Sequence, residues 1–255
     1  MQAIIMAAGK GSRLGNLTQD IPKSFLEIQG IKLIEYNIAL LHAYGIKDIV
    51  IVTGYQCEKI EELVKDIEGI RCIYNPFYEM VNVLGSFYMA QEYLHEDTIY
   101  MHADTLCAPE IFETMLKTDG DMVLPVEYKA CDEEAMKVRT EAGRIVEISK
   151  QIPCEVGEGE FIGILKIGQK ILPDLRRASK DVLQNKEFTS YFEGAIQKLI
   201  DWGGYELKAV PTENYFWGEI DFLEDYERAC KKISGRLVDI AHNEWKRCYV
   251  DYGNL

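Results

Sequence analysis

Apolar residues come in short unbroken runs in the first half of the chain and in more scattered patterns after it. The run Ala3-Ile4-Ile5-Met6-Ala7 predicts a buried strand over 2–7, and helical spacing predicts an amphipathic helix over 32–44 that stops before Gly45. Asp48-Ile49-Val50-Ile51-Val52-Thr53 predicts the next strand, followed by a helix over 57–66, a short strand over 70–74 and a helix over 83–94. A strand over 97–102 comes next, and Pro109, suited to a first helical turn, opens a helix to about 117. Continuous apolar strands separated by helices indicate a parallel sheet covered on both faces. From 121 onward strands over 121–127, 144–149 and 160–167 follow one another with little between them. Helices over 169–183 and 189–202, a strand over 205–210 and helices over 222–233 and 235–248, the last carrying Trp245, complete the pattern. The expected fold is a three-layer α/β/α sheet, mixed toward its C-terminal half. Its main domain spans 1–234, with a helical extension over 235–255.

Composition narrows the partners. The chain has 255 residues, of which 47% are apolar, enough for a substantial core. A net charge of −14 argues against nucleic acid and anionic membranes as partners, since both need basic surface. It does not exclude a phosphate ligand held by a few cations in one cleft. The N-terminal apolar run is too short to span a membrane and lacks the charged start of a signal peptide. Seven cysteines without CxxC spacing suit reduced thiols in the cytoplasm.

A glycine-bearing loop, Ala7-Ala8-Gly9-Lys10-Gly11-Ser12-Arg13-Leu14, follows the first strand directly. Backbone N–H groups in such a loop can point at an anion, and Arg13 and Lys23 supply cations nearby. Pro22 stiffens the approach to Lys23. A dinucleotide fingerprint is excluded because Leu14 stands where its third glycine would be, and no P-loop pattern occurs. Taken alone, the loop reads first as a tight turn and only second as a phosphate cradle.

Two carboxylates stand where a metal would be useful. Asp104 ends the strand over 97–102, and Asp221 closes Tyr215-Phe216-Trp217-Gly218-Glu219-Ile220-Asp221 before a helix. Mg²⁺ prefers a few carboxylates completed by substrate oxygens and water. Each aspartate also has an ordinary reading, as a turn residue or a helix cap. His102 reads either as a support for the metal carboxylates that does not itself bind the metal or as a structural residue, and the four histidines form no evident catalytic cluster. Asn75, Asn82 and Ser86 lie between a strand and a helix, where they serve either a nucleotide base and ribose or the turn itself. Lys150 reads as an acceptor-phosphate ligand or a solvated lysine; Tyr215, Phe216 and Trp217 with Glu219 read as a cation-binding wall or as packing.

Residues 1–36, with the strand, the AAGxGxRL motif at 7–14 and Pro22-Lys23, resemble the opening of the sugar-nucleotidyltransferase-like superfamily. The similarity extends over nearly the whole chain; Met6 stands where Leu is usual, and His102 replaces a usual Gly or Asp. Asn75-Pro76-Phe77-Tyr78 followed by Asn82 and Ser86 resembles the cytidylyltransferase branch that includes phosphocholine and inositol-phosphate cytidylyltransferases. Gly159–Ile164, Tyr191–Ile196 and Lys150 resemble nucleotidyltransferase domains of phosphonate biosynthesis.

The resemblance implies a Rossmann-like nucleotidyltransferase fold with a mostly parallel sheet, and an enzyme that uses Mg²⁺ to join CMP from CTP to a small phosphate- or phosphonate-bearing alcohol or amine. Residues 7–12, with Asn75, Asn82 and Ser86, would bind the nucleotide. Arg13 and Lys23 would neutralise the triphosphate, Asp104 and Asp221 would hold the metal, and Lys150, Tyr215, Trp217 and Glu219 would face the acceptor. Such branches make CDP-linked products for cell-surface glycans such as capsular polysaccharide, or for lipids. Rival expectations are a sugar-1-phosphate uridylyl-, thymidylyl- or guanylyltransferase and a non-catalytic nucleotide-binding subunit; a homodimer is left open.

Overall fold

The computed structural model describes residues 1–250. In chain order the first half forms β1 (Gln2–Ala7), β2 (Glu27–Ile28), β3 (Ile31–Lys32), α1 (Leu33–Ala43), β4 (Asp48–Thr53), α2 (Cys57–Val64), β5 (Ile70–Tyr74) and α3 (Val83–Ala90). Then come β6 (Thr98–His102), β7 (Thr105–Cys107), α4 (Pro109–Lys117), β8 (Met122–Glu127), β9 (Lys137–Glu141), β10 (Arg144–Ser149), β11 (Gly159–Phe161) and β12 (Ile164–Ile167). The last part forms α5 (Leu172–Gln184), α6 (Glu193–Trp202), β13 (Leu207–Pro211), β14 (Trp217–Glu219), α7 (Leu223–Lys232) and α8 (Gly235–Val250).

Among the described residues ten strands make one sheet in the order β11-β9-β10-β13-β8-β12-β6-β1-β4-β5. β6, β1, β4 and β5 run parallel, while β12 lies antiparallel between β6 and β8. The expected three-layer sheet, mixed toward its C-terminal half, is the fold observed. Strand alternation sorts β1 between two cores. Ala3, Ile5 and Ala7 join the core with α1, α2, α4 and α8; Ile4 and Met6 join the one with α3, α5 and α6. Each fully buried Ile or Leu there contributes roughly 1.5–3 kcal/mol of transfer free energy.

α8 contributes buried Leu237, Val238 and Ala241 to the core beside α1. Residues 251–255, the end of the expected extension, lie outside the described residues. No helix among the described residues is long and apolar enough to cross a membrane.

Three features depart from the sequence expectation. The strand expected over 160–167 is two strands, because Gly163 adopts φ +79° and turns the chain. A Cβ at Gly163 would stand 2.9 Å from Nδ1 of His102, so this turn also makes room for that imidazole. β9, a polar stretch without apolar alternation, is recruited between β10 and β11 by backbone pairing. Two short ribbons, β2–β3 and β7–β14, are too brief for any periodicity to register.

Candidate active site

The parallel strands β1 and β6 end side by side, and their C-terminal ends open into a cleft of about 1100 Å³. Ligands bind at this edge in open α/β sheets. Ala8, Gly9 and Arg13 line the cleft from the loop after β1, and Asp104 from the turn after β6. Gly11 takes φ +68°, and a Cβ there would lie 2.9 Å from Cβ of Lys23. The glycine therefore allows the lysine stem to pass beneath the loop.

The β7–β14 ribbon assembles the centre. It pairs Glu219 with Thr105 and Trp217 with Cys107, and the Ile220 N–H donates to the Asp104 carbonyl at 3.1 Å. Asp104 immediately precedes one ribbon strand and Asp221 closely follows the other, so the ladder carries both aspartates to one point. Nζ of Lys23 stands there, 2.5 Å from Oδ2 of Asp104 and 2.5 Å from Oδ1 of Asp221. Asp225 fixes the backbone beyond, its Oδ2 accepting from the N–H groups of Asp221 and Phe222. Arg13 reaches the same point, with Nη1 3.4 Å from Oδ2 of Asp221 and its guanidinium over the Phe222 ring.

Electrostatics follow from this packing. Burial by itself would pull the Lys23 ammonium down, but Asp104 and Asp221 together raise it well above the usual lysine value. Burial likewise favours a neutral Asp104, yet Lys23 and His102 override it and hold the carboxyl below the usual range. His102 belongs to the same network, beside the carboxylates without itself being assigned as a ligand. Its Nδ1 lies 3.3 Å from Oε1 of Glu219 and its Nε2 2.9 Å from the Tyr100 hydroxyl. Burial alone would lower its pKa, but Glu219, with help from Asp104 and Glu193, raises it to about 9.

The residues expected at the nucleotide fall into two groups. Ala8, Gly9, Asn82 and Ser86 line the cleft. Lys10 stands over the Tyr55 ring at 5.4 Å. Asn75 is fully buried; its Oδ1 accepts from Phe77 N–H and its Nδ2 donates to Oγ of Ser86. It therefore braces the 75–86 turn from inside. Asn82 caps α3 through Val83 N–H and ties the turn to the Thr189 carbonyl.

Tyr215, Trp217, Glu219 and Lys150, the residues expected to face an acceptor, also line this cleft. Lys150 stands over the Tyr191 ring at 4.9 Å, with Nζ 3.6 Å from Oε2 of Glu134. Glu127, Lys129, Glu160 and Glu193 share this cleft and were not singled out by sequence reasoning. Glu193 is 3% exposed, its Oε2 has no hydrogen-bond partner, and burial pushes its carboxyl up. A charged residue at an apolar helix start, as in Phe192-Glu193-Gly194, is the signal that would have found it.

The profile of the MobA-like NTP transferase domain matches residues 3–183. The chain belongs to the MobA-like NTP transferase family. A CTP:phosphoglutamine cytidylyltransferase of Campylobacter jejuni is 28% identical over 91% of this chain and 100% of its own length. A choline-phosphate cytidylyltransferase of Haemophilus influenzae is 34% identical over 92% of this chain and 98% of its own. Among solved structures, the inositol-1-phosphate CTP transferase of T. maritima superposes with a TM-score of 0.74 at 23% identity, covering 95% of each chain. With these relatives, the family member described here is a nucleotidyltransferase, an enzyme of the transferase class.

Proposed function

We propose that the chain is a Mg²⁺-dependent cytidylyltransferase that joins CMP from CTP to a small phosphorylated or phosphonylated alcohol or amine and releases pyrophosphate. The observation that carries this reading is the convergence of Arg13, Lys23, Asp104 and Asp221 at the mouth of the glycine loop. The names of its cytidylyltransferase relatives support CTP as the nucleotide. On this reading the loop over 7–12 and the turn bearing Asn82 and Ser86, braced by Asn75, hold the nucleotide. Lys150, Tyr215, Trp217 and Glu219 face the acceptor. The enzyme would work in the cytoplasm, and its product would serve the decoration of a cell-surface glycan or lipid.

The donor set suits a divalent cation. Asp104 and Asp221 already share one cation, the Lys23 ammonium, so their oxygens converge on a position of positive charge. When bound there, Mg²⁺ would supply neutralising charge to the phosphate oxygens. The remaining chemistry needs little from the protein. An acceptor phosphate monoester, with a second pKa near ~6, already presents an ionised oxygen at neutral pH. That oxygen attacks the α-phosphorus; the new P–O bond forms as the bond to the bridging oxygen of the β-phosphate breaks, and pyrophosphate departs with the electron pair. Arg13 and Lys23 offset the charge gathering on the leaving group, and the two walls of the cleft set the in-line geometry.

Pyrophosphate release from CTP, UTP, dTTP, GTP and ATP, each with phosphocholine, phosphoethanolamine, 2-aminoethylphosphonate, phosphorylated amino acids and hexose phosphates, tests the reading. Turnover is expected with CTP and a non-sugar acceptor; strict use of UTP with a hexose phosphate would sink it.

A further inference from the structure

The antiparallel pairing of β11 with β8 places Glu160 directly opposite Glu127. Two like charges facing each other across a ladder destabilise a sheet unless a cation lies between them. Lys129 supplies one: its Nζ is 2.6 Å from Oε2 of Glu127 and 2.8 Å from Oε2 of Glu160. The same ammonium sits 5.2 Å from the centre of the Trp217 ring. Two carboxylates and an indole make a cage for an organic ammonium.

Its walls and its occupant differ in kind. Glu127 and Glu160 are held by strand pairing, and Trp217 by the ribbon opposite Cys107. Lys129 lies beyond the end of β8 on a long stem, 41% exposed, whereas Glu160 is 19% exposed. The cage is therefore built into the fold, whereas the ammonium filling it rides on a long, half-exposed stem. Glu219, two residues along β14 from Trp217 and so on its face, adds negative charge next to it.

We propose that Glu127, Glu160 and Trp217 form the subsite for the acceptor's ammonium group, and that Lys129 is a resident placeholder which the acceptor displaces. The inference rests on the reading of this wall as the acceptor side of a transferase cleft. It also names the acceptor class. A primary ammonium carries N–H groups that inherit both hydrogen bonds surrendered by Lys129. A quaternary ammonium carries none and leaves both carboxylates with only Coulomb contact. Lys129 thus weakens every entering cation alike, while the hydrogen-bonding demand of Glu127 and Glu160 sets the preference for a primary amine.

Calorimetric titration of the full chain, with CTP and EDTA present so that no turnover occurs, tests this. Wild type is expected to bind phosphoethanolamine at least tenfold tighter than phosphocholine. Lys129→Ala should bind both more tightly by a similar factor, tenfold or more, with the preference for phosphoethanolamine kept. Lys129→Gln, which keeps hydrogen-bond donors between the glutamates, should move the same way and serves if the alanine variant folds poorly. Unchanged or weaker phosphoethanolamine binding in the variants, or no binding by any of the proteins, overturns the proposal. Pyrophosphate release is scored separately: tightened binding without turnover from CTP leaves the cage standing and removes the cytidylyltransferase reading. Turnover from CTP with unaltered binding does the reverse.

Discussion

The two walls of the cleft hold charge in opposite ways. On the loop side the backbone is bent by glycines, and a long cation, Lys23, comes from below to meet two aspartates. On the far side the backbone is regular sheet, and the carboxylates Glu127 and Glu160 project from paired strands with Lys129 between them. The loop wall, with Ala8, Gly9 and Arg13 on the cleft, is the one the proposed function assigns to the triphosphate. The sheet wall, with its glutamates and Trp217, is shaped for something cationic. A molecule with phosphate at one end and an amine at the other complements both, and the β7–β14 ribbon fixes the two walls relative to each other.

Removing the carboxylates should break that division most severely. Asp104→Ala and Asp221→Ala are each expected to lower kcat by about 10³-fold or more, since they would leave no metal ligand pair. Steady-state pyrophosphate release checks this, and turnover near the wild-type rate for Asp104→Ala would refute the metal assignment. Lys23→Met comes next, with kcat falling roughly 10²–10³-fold, the usual cost of losing one group that stabilises transition-state charge. Substitutions on the sheet wall, by contrast, should leave the KM for CTP within about twofold of wild type. Arg13→Ala sharpens the contrast at lower amplitude: about a tenfold rise in the KM for CTP with acceptor KM little changed. An acceptor KM that rises equally would place Arg13 on both walls.

The smallest expected effect concerns pH. His102 has its pKa raised to about 9 from an ordinary 6.5 by Glu219, so folding favours the protonated ring. Its contribution is complete below about pH 6.5 and is lost as pH rises through about 9. Denaturant melts of metal-free protein should therefore show stability declining across that window, and His102→Gln should flatten the decline. An NMR titration of the ring that placed its pKa near 6.5 would contradict the electrostatic account.

Much of the parallel half was legible in the chain because buried parallel strands write themselves as unbroken apolar runs. Gly9, Gly11, Arg13 and Lys23 lie close together in sequence, so their grouping was legible too. Asp104 and Asp221 were legible as strand-end and helix-start carboxylates, but not the ribbon that unites them; three-residue strands carry no period. The cage at Lys129 was hidden for another reason. Glu127 and Glu160 become neighbours only through the antiparallel register of β8 and β11, and no local pattern encodes that register. Asn75 shows the opposite case: its position next to a helix suggested a ligand, while burial commits its amide to the turn.

Lys23 carries a consequence for how the protein is made. Two aspartates gathered at one point ordinarily oblige a fold to wait for an external ion before it can close. Here the polypeptide brings the neutralising charge with it, covalently attached and delivered by the same loop that must form anyway. On the proposed metal assignment, maturation would be uncoupled from metal supply: a newly synthesised chain could complete its architecture in a magnesium-poor setting and acquire the ion afterwards. Chelation should silence such a protein without melting it.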